Sequence, residues 1–150
     1  MIYNAYFGIR VTDLDRSLDF YTRLFSFKEK GRGDVRKFGV DGGIYVHLED
    51  PISKQTLELD WYPPESRHAV PYFPGEGLDH IAFVVDDVEQ TFDELVSKGV
   101  LPTDITPETT DGYYAYVKDP DGNWIELMQS TEPRRASLKR SRQDSEKTGS

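Results

Sequence analysis

This chain of 150 residues repeats itself at about half its length, and self-similarity at such a period means one supersecondary unit used twice. A shift of 74 residues lays Tyr6–Asp19 over His80–Asp93, matching Val11 with Val85, Asp13 with Asp87 and Asp19 with Asp93. Further on, a shift of 69 puts Asp50-Pro51 on Asp119-Pro120, and a shift of 68 puts Leu57-Glu58-Leu59 on Ile125-Glu126-Leu127. Any fold assigned to one half must therefore suit the other.

Each half reads as a strand, a helix and about three further strands. In the first helix Asp13 or Thr12 is the cap, and Leu14, Leu18, Tyr21, Leu24 and Phe25 recur at helical spacing. The second has Val88, Phe92, Leu95 and Val96, with Gly99 as its stop. Strands are expected at 28–30 or 37–40, then 44–49 and 56–61, and in the second half at 113–118 and 123–129, while 101–106 fits no single element. Asp119-Pro120-Asp121-Gly122 is a turn, because proline presets φ and glycine accepts a positive φ near its end. Between the halves, 61–78 holds four prolines, two glycines and several aromatics, and reads as an ordered linker.

Alternation along a strand assigns faces. Phe7, Ile9 and Val11 oppose Tyr6, Gly8 and Arg10; Ile81, Phe83 and Val85 oppose His80, Ala82 and Val84. Leu57 and Leu59 oppose Thr56, Glu58 and Asp60, and Ile125 and Leu127 oppose Trp124, Glu126 and Met128. With the apolar faces under the helices, Tyr6, Glu58, His80 and Glu126 face away from them. Tyr45 and His47 share that polar face, as do Tyr114 and Tyr116 in the repeat.

Composition narrows the chemistry. There is no cysteine, so disulfides, thiolate metal sites and thiol nucleophiles are excluded, and oxygen and imidazole must do any metal binding. Residues 1–130 carry 12 Lys and Arg against 24 Asp and Glu, a balance that argues against nucleic acid as partner. No run reaches the roughly 18 apolar residues needed to cross a bilayer, and MIYNAYFGIR lacks the marks of a signal peptide, which makes a cytoplasmic protein without membrane contact the expectation. From Thr131 to Ser150 the chain is polar and reads as a disordered tail. Within it, Arg134-Arg135-Ala136-Ser137 looks like a basic-directed phosphorylation site and Lys139-Arg140-Ser141-Arg142 like a localisation patch, against the plainer reading of a solubilising tail.

The stretches Ile9-Arg10-Val11-Thr12-Asp13-Leu14-Asp15-Arg16-Ser17-Leu18-Asp19-Phe20-Tyr21, Leu78-Asp79-His80-Ile81-Ala82-Phe83-Val84-Val85-Asp86-Asp87 and Asp119-Pro120-Asp121-Gly122-Asn123-Trp124-Ile125-Glu126-Leu127 resemble the vicinal oxygen chelate superfamily. Glyoxalase I, extradiol dioxygenases, and fosfomycin and bleomycin resistance proteins belong to it. The resemblance implies an α+β fold, one domain over 1–130 made of two paired βαβββ modules (about 3–62 and 77–130) whose curled mixed sheets surround an open cleft, often completed by a homodimer partner. It places metal ligands at Tyr6, Glu58, His80 and Glu126, of which the first is normally histidine. It further implies that Arg10 binds substrate, and puts Tyr62 where glyoxalase I has a glutathione-contacting asparagine.

For the residues themselves, three explanations stay open: a metal site, an ion pair centred on Arg10, or acids solvated in a wet cleft. Glu58, His80 and Glu126 together neutralise a divalent ion and leave positions open on an octahedral centre, which suits Ni, Mn, Fe, Co or Mg better than a closed tetrahedral Zn site. A phenol ordinarily ionises near pH ~10, so Tyr6 is a poor ligand and instead a hydroxyl or wall beside the site. His47 either replaces the histidine missing at position 6 or carries a proton. His68, in the linker, is expected at the surface. Tyr6, Arg10, Tyr62, Tyr114, Tyr116 and Trp124 are the candidate substrate contacts, and Glu126 the candidate base. The leading expectation is a glyoxalase I-like, metal-dependent lyase or isomerase acting on a small molecule with vicinal oxygens through an enediolate-like intermediate. The alternatives are an extradiol ring-cleavage dioxygenase and a non-catalytic, bleomycin-resistance-like binding protein.

Overall fold

The computed structural model describes residues 1–34 and 42–129. The alternative strand at 37–40 and the expected tail lie outside the described residues. The chain divides into two compact units between Phe73 and Pro74. Each follows one plan.

In the first unit the order is β1 (Phe7–Arg10), α1 (Leu14–Asp19) running into a π-turn (Phe20–Leu24), β2 (Lys28–Asp34), β3 (Ile44–Glu49) and β4 (Thr56–Trp61). The sheet order is β1-β4-β3-β2, with β1 parallel to β4 and the other pairs antiparallel. The second unit has β5 (His80–Val85), α2 (Val88–Ser97), β6 (Leu101–Pro102), a 3₁₀ turn (Pro107–Thr109), β7 (Tyr114–Lys118) and β8 (Trp124–Gln129). Its sheet order is β5-β8-β7-β6, again with one parallel pair, β5 with β8. The α+β plan read from the repeat is the observed one: two helices and two four-stranded mixed sheets.

Both helices open on the aspartates that the repeat aligned. Asp13 Oδ1 accepts the backbone N–H of Arg16 at 3.0 Å, and Asp87 Oδ1 that of Gln90 at 2.9 Å. Each aspartate thereby satisfies an amide that the first helical turn cannot pair. α2 stops where glycine was expected to stop it. Gly99 adopts φ +89°, its N–H donates to Val96 O at 2.9 Å, and Val100 N–H reaches Leu95 O at 3.0 Å, the paired bonds of a left-handed C-terminal cap.

The helices bury Leu14, Ser17, Phe20 and Tyr21 in the first unit and Val88, Phe92 and Leu95 in the second. α1 lies against β4, and α2 against β8 and β7. Beneath them are Leu57 and Leu59, Val46 and Leu48, Ile125 and Leu127, and Ala115 and Val117, all buried. Fully burying a side chain of this size stabilises by about 1.5–3 kcal/mol, which makes these alternating pairs the main source of stability.

Four local readings change. The helical stripe expected at Leu18, Leu24 and Phe25 is only half-buried, whereas Phe20 is buried. A π-turn packs more than 3.6 residues into a turn, so spacing inferred from a regular helix drifts off the core face. Phe7 keeps the parity of the buried Ile9 yet is 68% exposed, because it begins an edge strand with a neighbour on one side only. β2 runs on to Asp34 through a bulge between Glu29 and Gly31. In the segment 101–106 only Leu101 and Pro102 form a strand; proline offers no N–H to extend the ladder, and the next contacts are single bonds, Thr103 N–H to Tyr116 O at 3.1 Å and Tyr116 N–H to Ile105 O at 2.9 Å.

Candidate metal and proton-transfer site

On the polar face of the first sheet, register sets Gly8, Glu58 and His47 side by side on β1, β4 and β3. His47 Nε2 lies 2.5 Å from Glu58 Oε2. One residue pair further on, Asp60 hydrogen-bonds to the Glu58 carboxyl, and its own carboxyl is raised to about 6, mainly by burial and then by the negative charge of Glu58. The rings of Tyr6 and Tyr45 flank His47 at 5.1 and 5.2 Å between centroids. Tyr62 is held above the ordinary range of a phenol by burial and by the charges of Asp60 and Glu58, offset by Arg10.

The second unit repeats the pattern. His80 Nε2 is 3.3 Å from Glu126 Oε2, while its Nδ1 is 2.6 Å from Asp79 Oδ1. Tyr116, opposite Glu126 on β7, hydrogen-bonds to that carboxylate; burial and then the charge of Glu126 raise its phenol. Tyr116 also meets the His80 ring edge-on at 5.7 Å, with Trp124 at 5.5 Å and Tyr114 at 6.4 Å. The carboxylates are the less exposed partners: the Glu58 and Glu126 side chains are 13% and 17% accessible, and His47 and His80 are 33% and 34%.

The sequence reading singled out Glu58, His47, His80, Glu126, Tyr114, Tyr116 and Trp124, and the structure places all of them on the polar faces of their own sheets. Arg10 has a different engagement from the expected pairing with glutamate. Its guanidinium donates to the carbonyls of His68 at 3.4 Å and Pro71 at 3.1 Å and lies over the Tyr72 ring at 5.6 Å. His68 in turn sits against Tyr62 at 5.5 Å, half-buried rather than fully at the surface. Two residues were not among the candidates. Asp60 has the same parity as Glu58, a signal already present in Leu57-Glu58-Leu59-Asp60, and Asp79 directly precedes His80.

Within neither unit do three or more His, Asp or Glu side chains group in a way that holds a metal ion, among the described residues. Each unit does offer a carboxylate and an imidazole nitrogen together. Two donors at right angles on an octahedral ion, each about 2.1 Å from it, stand about 3 Å apart. The 3.3 Å between His80 Nε2 and Glu126 Oε2 suits that arrangement, and in the tautomer that donates Nδ1–H to the Asp79 carboxylate Nε2 carries the lone pair. The donor pair of the second unit therefore suits a divalent ion that takes its remaining ligands elsewhere, whereas His47 Nε2 and Glu58 Oε2, at 2.5 Å, stand closer than two donors on one ion.

The sequence profile of the Glyoxalase/Bleomycin resistance protein/Dioxygenase superfamily matches residues 5–127. Lactoylglutathione lyase of Schizosaccharomyces pombe is 34% identical over 142 residues, covering 83% of this chain; the chain spans about half of that relative's length, 46%. A probable lactoylglutathione lyase of Vibrio cholerae is 34% identical over 136 residues, covering 81% of this chain and 86% of the relative. Among solved structures, the trypanothione-dependent glyoxalase I of Leishmania major superposes with a TM-score of 0.68 at 28% identity, covering 99% of each chain. The repeated β-α-β-β-β unit, its paired acids and imidazoles, and these similarities lead to one conclusion: the chain belongs to the glyoxalase/bleomycin resistance protein/dioxygenase superfamily.

Proposed function

We propose that this protein is a glyoxalase I-like lyase that isomerises the hemithioacetal of a small 2-oxoaldehyde and a thiol, with His80 and Glu126 of the second unit as donors to a divalent cation. The observation that carries this reading is the Glu126 carboxylate, set 3.3 Å from His80 Nε2 and hydrogen-bonded by Tyr116 on the next strand. The relatives named lactoylglutathione lyase support it from a second direction. When bound, the cation supplies Lewis acidity toward the substrate's vicinal oxygens and stabilises the negative charge that develops there.

The residues of the chain do the rest. Glu126 takes the proton from the carbon bearing sulfur and hydroxyl and returns it to the adjacent carbon, while the hydroxyl proton passes to the neighbouring, former ketone oxygen, so that the net change is an isomerisation to a 2-hydroxy thioester. Tyr116 holds the carboxylate in place and, with Trp124 and Tyr114, walls the site on that sheet. Asp79 fixes the orientation of the His80 ring. The exposed Phe7 and Val84, on edge strands β1 and β5, support assembly as a homodimer. No helix among the described residues is long and apolar enough to cross a membrane, which is compatible with a cytoplasmic enzyme.

The test is an assay of the full chain loaded in turn with Ni²⁺, Co²⁺, Mn²⁺, Mg²⁺ and Zn²⁺, using methylglyoxal with glutathione or trypanothione and following thioester formation. Turnover that falls by about 10²–10⁴ in Glu126→Gln is the expected result. Absence of turnover with every metal and thiol overturns the reading. A second reading has its own observation, the aromatic run Tyr114, Tyr116 and Trp124, which suits a planar guest. Catechol ring cleavage, or tight binding of a planar compound without turnover, would favour the dioxygenase or the binding protein.

A further inference from the structure

We propose that the acidic solvent face of α2 is a docking surface for this chain's own basic segment, residues 134–142. The inference concerns the second unit alone and does not depend on the cation site.

The repeat shows what sets α2 apart. In α1 the acids have cations beside them: Arg23 Nη2 lies 2.9 Å from Asp19 Oδ2, and Arg16 directly follows Asp15. The shift of 74 puts Asp15 and Asp19 on Glu89 and Asp93, but Arg16 and Arg23 on Gln90 and Ser97. Both cations are lost. Gln90 Nε2 donates to Glu94 Oε1 at 3.0 Å and Ser97 Oγ to the carbonyl of Glu94 at 2.7 Å, bonds that bring no positive charge. Asp86, Asp87, Glu89, Asp93 and Glu94 are all exposed, and the last turn of α2 holds no basic residue. Glu89 and Asp93, four positions apart, are like charges on one face, an arrangement that weakens a helix until a cation comes between them.

The missing cations lie further along the chain. Residues 134–142 hold Arg134, Arg135, Lys139, Arg140 and Arg142, and no acid. Their path also begins in the right place. β5 and β8 are parallel and Val85 pairs with Gln129, so the chain leaves β8 about 4.8 Å, one strand spacing, from the Asp86-Asp87 entry to α2. The five residues from Gln129 to Arg134 reach at most about 17 Å and the thirteen to Arg142 about 45 Å, whereas the ten residues of α2 span about 15 Å. The segment can therefore follow the whole helix. A tether this short sets the effective concentration of cations at the acids on the order of millimolar, and opposite charges within a Debye length attract without any apolar contact.

The experiment uses the full chain, ¹⁵N-labelled, with a nitroxide on Ser141→Cys. Because the chain has no native cysteine the label takes one position, and every charge of the segment stays in place. Paramagnetic broadening of the α2 amides is compared with that in two variants of the labelled chain. One is Glu89→Arg/Asp93→Arg; the other replaces Arg134, Arg135, Lys139, Arg140 and Arg142 with serine, which leaves the sequence of α2 and its sheet untouched. In about 50 mM salt, broadening at 89–94 should be about threefold greater in the parent than in either variant, and in 1 M salt, where screening acts within about 3 Å, the three should converge. Equal broadening in all three at low salt overturns the inference. A mixture of ¹⁵N chain without nitroxide and ¹⁴N chain carrying it identifies the occupant. Broadening there as large as in the parent assigns the surface to the segment of a second copy and overturns docking within one chain, while its absence supports it.

Discussion

The carboxylate of Asp60 fills the space above Gly8: a β-carbon on Gly8 would stand 3.0 Å from Asp60 Oδ2 and 3.6 Å from Glu58 Oε1. Glycine at position 8 is therefore what lets two acids on β4 lean over β1. In the second unit the matching residue is Ala82, and the matching partner of Asp60 is Met128, which demands no such room. Gly8→Ala should push the Asp60 carboxyl aside and cost about 1–2 kcal/mol in a denaturant titration, with a smaller cost in an Asp60→Ala background. Equal costs in the two backgrounds would refute the contact.

The raised carboxyl of Asp60 gives stability a defined pH dependence. Asp60 titrates at about 6 in the fold, against about 3.9 in an unfolded chain. Below about pH 4 it is protonated in both states and its burial costs nothing extra. Between about 4 and 6 the unfolded chain releases the proton while the fold retains it, so this group's contribution becomes less favourable as pH rises, then levels off. Because the site is half open to water, the effect should be on the order of 1 kcal/mol rather than the full value of the shift. Asp60→Asn should accordingly gain about that much over the unsubstituted protein at pH 7 and nothing at pH 4. A gain that does not vary with pH would show that Asp60 ionises freely.

The two matched turns solve one backbone problem with different residues. Gly122 takes φ +88° and its equivalent Lys54 takes φ +62°. Lys54 has a β-carbon in a region where such an atom costs about 1–2 kcal/mol. Its pairing with Glu49, 3.8 Å apart and exposed, returns little of this. Lys54→Gly should raise stability by about 0.5–1 kcal/mol after the added freedom of the unfolded chain is taken into account. Gly122→Ala should lower it by about 1–2 kcal/mol, since its β-carbon would also stand 3.1 Å from Pro74 Cγ. Thermal melts of the two variants shifting in the same direction would contradict this.

How far the sequence carries is visible in these same residues. Alternation in Leu57-Glu58-Leu59-Asp60 and Ile125-Glu126-Leu127 separates core from polar face, because a sheet buried on one side leaves a one-residue slip no room. The caps at Asp13 and Asp87, and the stop at Gly99, are equally local and equally legible. What alternation cannot supply is cross-strand distance. That His47 meets Glu58 depends on the β3–β4 register, and that Arg10 turns to the carbonyls of His68 and Pro71 depends on the path of a proline-rich segment without regular periodicity. The π-turn after α1 likewise leaves no mark in a pattern read at 3.6 residues per turn.

In the proposed metal site Asp79 would act on a bound cation only through His80, and that separates its effect from that of a donor. Its Oδ1 lies 2.6 Å from His80 Nδ1, and its side chain is 92% accessible. Removing the charge while keeping the shape, in Asp79→Asn, leaves the ring hydrogen-bonded but makes Nε2 a weaker donor to a metal. Solvent screening at so open a position limits the loss, and Co²⁺ affinity should fall about tenfold, less than for His80→Gln. Proton spectra of the Co²⁺-loaded protein, in which an imidazole N–H on the ion is paramagnetically shifted, should keep the same number of such resonances, because the ligand itself is intact. A structural role for Asp79 predicts something else: a drop in metal-free melting temperature with unaltered affinity per folded molecule. Calorimetry and a melt without metal on the same preparation decide between the two.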